Sequence, residues 1–475
     1  MTGHLKVSGA WKDLVSAHCK VDGSWKNIVS GWGKNNGVWE QIYSTDSGYG
    51  FVAVDIAINT ADPVARCTYP ETITVNGVSV PNSCYGFTPA SGANGSFAMN
   101  SWDGHPLIAG IKPVSKNEST WKDLGTNASS WASNGSSEDY FTEFPFNWLS
   151  ITNDGSKIRI IFSDKNTQPD SNFQCYAHAK GCDDYENSDI ESAVSSVSRK
   201  SIMASNGNSY FANAFHIGCF QASGSTSAIY SKKATTTLTD VEYANYWKAA
   251  NARGTDYDCM SFQQWTYLQA LFVLLYKSTN SQVAHSYGLV NASNSTDTGN
   301  AGLSTTSYGM AGATSSARNA FFWIHDIWGN MYQFIGGAWD RAGSSSKLYY
   351  WLPRQANSRA FKNGWTAASV NATQASLGTD TGLTGSTTFE YIRTVAGTNK
   401  GGFCPTSQSG GSATTYFTDY GCVGYEPSLA RFPCVGGRYY NDADAAGIFF
   451  CYVFIDTTLS SSRFGSRLSY RGGRT

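Results

Sequence analysis

Short runs in which apolar and polar residues alternate, broken by glycine and asparagine, cover most of the chain and predict strands more often than helices. At the start, Gly9-Ala-Trp11, Gly23-Ser-Trp25 and Gly37-Val-Trp39 recur at a spacing of fourteen. Each unit reads as strand, tight turn, strand. A hairpin this short cannot bury a tryptophan by itself, so residues 1–43 are expected to stack on one another or on neighbouring chains. Further along, Phe51 to Ile58 alternates as a strand, and Glu71 to Val80 reads as a hairpin turning at Asn76-Gly77. Tyr140 to Trp148 leads into a second hairpin, Leu149 to Phe162, through Asp154-Gly155. The stretch from Asn127 to Ser137, rich in glycine, serine and asparagine, is a surface loop.

The clearest helix runs from Ser261 to Lys277, with Trp265, Leu268, Leu271, Phe272 and Leu275 on one stripe. It reads as a core helix. Asn319 to Trp339 follows, where three tryptophans and two glycine turns suggest a strand-rich aromatic core. Three segments are expected: hairpin repeats over 1–43, a β-rich intermediate region over 44–170 and a larger domain over 171–475.

Composition narrows the class. Only 15% of residues are charged, well under the roughly 25% usual for soluble domains, while aromatics reach 14%. Net charge is −1, so no global field draws the chain to nucleic acid or to an anionic membrane. The 11 cysteines are scattered without framework spacing, which points to buried reduced thiols from a chain folded in a cytoplasm. The N-terminus shows no signal peptide, and the best apolar run, Leu268 to Tyr276, is too short to span a bilayer. A soluble protein is expected.

The last fifty residues carry the densest chemistry. Tyrosine, asparagine, aspartate and arginine crowd between glycine-punctuated strands, from Val435-Gly-Gly-Arg438-Tyr-Tyr-Asn441 through Ile448 to Asp456. Flat side chains with few rotors give contact area at little entropic cost, and short polar ones add adaptable hydrogen bonds. In Ile448 to Asp456 the even positions should share one face. Phe450, Tyr452 and Phe454 would then project together, with the smaller Phe449, Cys451, Val453 and Ile455 packed behind. The competing arrangement puts the three even-numbered rings in the core.

Ile327-Trp-Gly-Asn-Met-Tyr-Gln-Phe-Ile-Gly-Gly337 resembles the core motif of the formylglycine-generating-enzyme branch of the C-type lectin fold. Val435-Gly-Gly-Arg-Tyr-Tyr, Ala446-Gly-Ile-Phe and Phe464-Gly-Ser-Arg-Leu resemble the terminus of variable proteins of diversity-generating retroelements, which occur at phage tail tips. Tyr176-Ala-His178, Phe215-His-Ile-Gly218 and Lys277 to Gln282 are similar to stretches of large phage tail proteins, as are the tryptophan repeats.

The resemblance implies an α+β chain whose C-terminal domain has the C-type lectin fold, with a variable-type region over about 420–475. It implies a ligand-binding face formed by Arg438, Tyr439, Tyr440, Asn441, Asp442, Asp444, Phe450, Tyr452, Phe454 and Asp456, with Cys422 and Tyr425 upstream. The function implied is host adhesion, without catalysis. The partners would be a bacterial surface receptor and other tail proteins, with a homotrimer at the tail tip of a virion made in the host cytoplasm.

Other chemistry is set aside. Cys434 and Cys451 lie outside the active-site pattern of the enzyme branch. Cys175-x-x-His178-x-x-x-Cys182 lacks a fourth zinc ligand. Asn441-Asp442-x-Asp444 lacks the glycine and terminal glutamate of a calcium loop. No cofactor or metal is expected. A cell-surface glycan hydrolase is the rival class, with Asp326, Asp340 and Glu390 as available acids.

Overall fold

The chain is mainly β-structure with few helices in a computed structural model. Outside the described residues lie 1–3, 8–9, 14–17, 22–23, 28–29, 36–37, 45–47, 93–94, 119, 133–136, 181–186, 291, 294, 296–304, 314–316, 337, 342–346, 351–378, 381–388, 409, 423–429, 440–445, 457–458 and 475. For the described strands of 4–44, and for 187–188, 338–341, 347–350, 379–380, 430–432, 454 and 456, the backbone alone is described. Two compact units result, Met1–Tyr49 and Gly50–Thr475.

The first unit is three antiparallel hairpins, one per repeat: His4–Val7 with Ala10–Asp13, His18–Val21 with Ser24–Asn27, and Ser30–Asn35 with Val38–Ser44. The innermost pairs are Val7 with Ala10, Val21 with Ser24 and Asn35 with Val38, so a two-residue link closes each hairpin. In all three registers the tryptophan stands across from a lysine: Trp11 from Lys6, Trp25 from Lys20 and Trp39 from Lys34.

The second unit is built around the helix Phe262–Tyr276. Ser261 caps it, accepting from the Gln264 amide while the Gln264 side chain accepts from the Ser261 amide. Lys277 closes it in a left-handed conformation. All fifteen helical residues are buried, the mark of a helix wrapped on every side. Tyr267 shows how. Its ring meets Phe162 at 5.1 Å on the sheet Trp148–Asn153, Lys157–Ser163, Phe51–Ala57 and Cys67–Thr68. It also meets Phe215 at 5.1 Å on a six-stranded antiparallel sheet. Farther along the helix, Phe272 meets Phe449 at 6.1 Å, beside the C-terminal sheet.

The six-stranded sheet crosses the boundary expected near residue 170. Its order is Thr120–Asp123, Lys112–Asn117, Asp139–Pro145, Ala214–Gly218, Leu468–Tyr470 and Tyr257–Cys259. Three strands from 44–170 join three from 171–475 where Asp139–Pro145 pairs with Ala214–Gly218, so the two expected segments share one sheet. The hairpin at Asn76-Gly77 forms as expected, with both residues at positive φ, 49° and 75°. The hairpin Trp148–Asn153 with Lys157–Ser163 forms too.

No described helix is long and apolar enough to cross a membrane. The nine cysteines whose side chains are described are all buried.

Candidate binding face

The third sheet carries the C-terminal motifs. The strand Cys451–Asp456 lies between Ala430–Val435, antiparallel to it, and Tyr420–Cys422, parallel to it. Its odd positions form the packed face: Cys451, Val453 and Ile455 are all buried. Phe449 is buried as well. Tyr452, of the other parity, is half-buried.

Two residues expected on the outward face are not there. Phe450 is fully buried, its ring stacked 5.4 Å from Tyr332 and 5.8 Å from Phe389. It precedes the strand and sits in a turn, where its amide donates to the Gly447 carbonyl at 3.2 Å, so strand parity does not govern it. Cys422 is buried beside the central strand, in register with Tyr452, and burial pushes its thiol up to about 12. Tyr425, Tyr440, Asn441, Asp442 and Asp444 lie outside the described residues. Phe454 and Asp456 are placed on the strand by backbone alone.

Arg438 and Tyr439 are half-buried at the end of a rigid link. Gly436 and Gly437 both take positive φ, 83° and 74°, which favours glycine. The Gly436 carbonyl accepts from the Gly329 amide at 2.8 Å, and the Tyr439 amide donates to the Asn330 carbonyl at 3.0 Å. The two glycine motifs therefore brace each other. Beyond the link, the Arg438 guanidinium lies 5.3 Å over the Tyr332 ring.

Tyr332 starts an aromatic ladder that reaches the surface. It contacts Tyr452 at 5.6 Å; Phe389, 36% exposed, meets Tyr452 at 4.8 Å and Tyr420 at 6.4 Å; Tyr420 meets Tyr391 at 4.4 Å. Phe389, Tyr391 and Tyr420 were not among the expected site residues. The signal available was Phe389-Glu-Tyr391, two rings one residue apart, but their partner Tyr420 comes only with the pairing of Glu390–Tyr391 and Tyr420–Cys422.

The frame behind this face is polar and hydrogen-bonded at several points. Trp328 donates its ring N–H to the Ser286 carbonyl at 2.8 Å, and Gln333 donates to the Ile327 carbonyl at 2.9 Å. Asp326, one of the acids considered for hydrolysis, is buried against Arg318, its Oδ1 2.9 Å from the Arg318 Nε. Asp419 is buried under the turn at Gly447, accepting from Gln282 at 2.7 Å and from the Phe449 amide at 2.7 Å. Burial raises its carboxyl to about 7 against those hydrogen bonds.

The remaining chemistry lies elsewhere. His178 is fully buried among Phe146, Phe215 and Tyr267, and burial lowers it to about 3. Cys175 is buried and Cys182 lies outside the described residues; among those described, no group of three or more His, Cys, Asp or Glu could hold a metal ion. Glu390 is exposed, and the Asp340 side chain lies outside the description.

A cavity of about 400 Å³ is lined by Lys112, Asp123, Glu143 and Arg474. Lys112 lies 3.1 Å from Asp123 and 3.6 Å from Glu143, and His216 lies 3.1 Å from Glu143. Burial works to raise the Glu143 carboxyl, but His216, Lys112 and Arg474 outweigh it and hold it below its ordinary value. Asp123 is also held below its ordinary value, Arg474 and Lys112 outweighing its burial. The pair therefore supplies no general acid at neutral pH.

No family model and no curated protein matches this chain. Among solved structures, it is similar to the crystal structure of CarF, with a TM-score of 0.24 and 11% identity over 56% of this chain and 89% of that one. It is also similar to Treponema denticola variable protein 1, with a TM-score of 0.26 and 10% identity over 72% of this chain and 98% of that one.

Proposed function

We propose that this chain is a receptor-binding protein of a phage tail tip. On this reading it is a diversity-generating-retroelement variable protein, and its C-terminal region has the C-type lectin fold. The observation that carries the reading is the contrast at the C-terminal sheet. Arg438, Tyr439, Tyr452, Tyr420, Tyr391 and Phe389 reach solvent, while the residues behind them are sealed in a hydrogen-bonded frame. Rings with few rotors on a hydrogen-bonded frame give contact area at little cost in side-chain entropy, which suits repeated rewriting of the outward residues.

The ligand would be a molecule on a bacterial surface. A homotrimer carrying several such faces would multiply weak single contacts by about 10²–10⁴. The hairpin repeats would attach the chain to other tail proteins.

The test is adsorption of labelled protein to cells of the host bacterium. Tyr439→Ala and Tyr452→Ala should each cut adsorption at least tenfold with little change in the thermal melt. Adsorption equal to the parent in both variants would sink the reading, and sugars released from the envelope would point to a glycan hydrolase instead.

A further inference from the structure

A second concavity, of about 310 Å³, lies among residues that the C-terminal face does not use. Its apolar side is Phe97, half-buried, with the buried Met99 and Met310. Its polar side is Asn100, Asp103, Ser307 and Tyr308.

Hydrogen bonds fix the polar side. The Tyr308 hydroxyl donates to Asp103 Oδ1 at 2.6 Å and accepts from the Gly104 amide at 2.8 Å. That leaves the second oxygen of the exposed Asp103 carboxylate for another donor. Asn100 sits in a left-handed conformation, φ 51°, and its amide nitrogen donates to the Pro89 carbonyl at 2.7 Å, so its Oδ1 remains an acceptor. The exposed Ser307 adds a hydroxyl that can donate or accept. Thr306 holds the loop, its hydroxyl accepting from the Tyr308 and Met310 amides at 3.4 and 3.2 Å.

We propose that this cavity binds a single ring of a neutral saccharide. The volume is at the low end of the roughly 300–1,000 Å³ of small-molecule sites, enough for one sugar ring. One aromatic flank and two thioethers suit the C–H face of a pyranose. The polar lining offers two acceptors and a hydroxyl, which pair with the O–H donors around such a ring. A quaternary ammonium carries no N–H, so it would attract the carboxylate without hydrogen-bonding to the amide or the hydroxyl, which water would keep. The inference rests on this cavity alone and stands whether or not the C-terminal face binds a receptor.

Saturation-transfer NMR on the full chain with free hexoses and N-acetylhexosamines tests it. At least one sugar should give a transfer signal that Asp103→Asn and Phe97→Ala each weaken tenfold or more. Tyr452→Ala should leave that signal unchanged. Near-UV circular dichroism checks that the variants stay folded, as Asp103 is exposed and Phe97 only half-buried. If every sugar is silent, or if the signal survives both cavity variants, the assignment is overturned. Binding of choline in place of the sugars overturns it as well.

Discussion

Arg467 is fully buried, yet its guanidinium is matched with acceptors: Gln333 Oε1 at 2.9 Å and the carbonyls of Gly218, His325 and Asp326 at 2.9, 2.7 and 3.2 Å. Burial lowers it to about 10, still charged at neutral pH. The histidines are handled the opposite way. His178, His285 and His325 are fully buried, and burial holds each near 3, so the native state keeps them neutral. In the unfolded chain they take up protons near their ordinary 6.5. Folded values below unfolded ones mean stability present above pH 6.5 and lost as pH falls toward 3. Asp419 has the reverse sign. Its native carboxyl keeps a proton up to about 7 whereas the unfolded one loses it near 3.8, so it adds stability as the solution is acidified. Three groups oppose one, and each tenfold difference in proton affinity is worth about 1.4 kcal/mol. The melting temperature should fall by roughly 3 °C between pH 7.5 and pH 5, small because so large a unit unfolds with a large entropy. Asp419→Asn should make that fall steeper. A melt that is level or rises toward acid would show that the histidines are not held neutral.

At the scale of elements, the turn ending in Phe450 and the strand beginning at Cys451 divide the labour. Phe450 is sealed in the core and Tyr452 is at its edge, though both were expected to share one outward face. Phe450→Ala should cost about 3–5 kcal/mol in urea unfolding, as deletion of a buried ring does, and Tyr452→Ala much less. Equal losses would mean that Tyr452 is also a packing residue. Short-range chemistry was legible in the sequence. Asn76-Gly77 and Asp154-Gly155 gave their hairpins, and Ser261 and Lys277 gave the ends of the core helix, because turns and caps are fixed by neighbours in the chain. The apolar stripe of that helix was less informative, since its polar positions are buried as well. Gln264 is held by Ser469 Oγ at 2.9 Å and Gln269 by the Ile448 carbonyl at 2.9 Å. Of the candidate face, Arg438, Tyr439 and Tyr452, each half-buried in the structure, were singled out from the sequence. Tyr391 and Tyr420 were not, because a pairing 29 residues apart brings them together.

Whole-molecule organisation is the least local property and the least legible. The C-terminal strand Leu468–Tyr470 is inserted between Ala214–Gly218 and Tyr257–Cys259, in a sheet whose other strands lie before residue 146. Arg471 and Arg474 extend that tie past the strand. The Arg471 amide donates to the Asp256 carbonyl at 3.0 Å, and the Arg474 guanidinium pairs with Asp123. Such a sheet has no place to cut. A fragment starting at residue 171 leaves the edge of Ala214–Gly218 bare, because Asp139–Pro145 and its neighbours are gone, and an unpaired apolar edge aggregates. Unit boundaries imply the reverse for a fragment starting at residue 50, which keeps every strand of the three larger sheets. It should stay soluble and melt cooperatively, while the 171–475 fragment should lack near-UV circular dichroism and a cooperative melt. A sharp melt from 171–475 would restore the boundary read from the sequence, and with it a lectin-like domain that folds without the preceding strands.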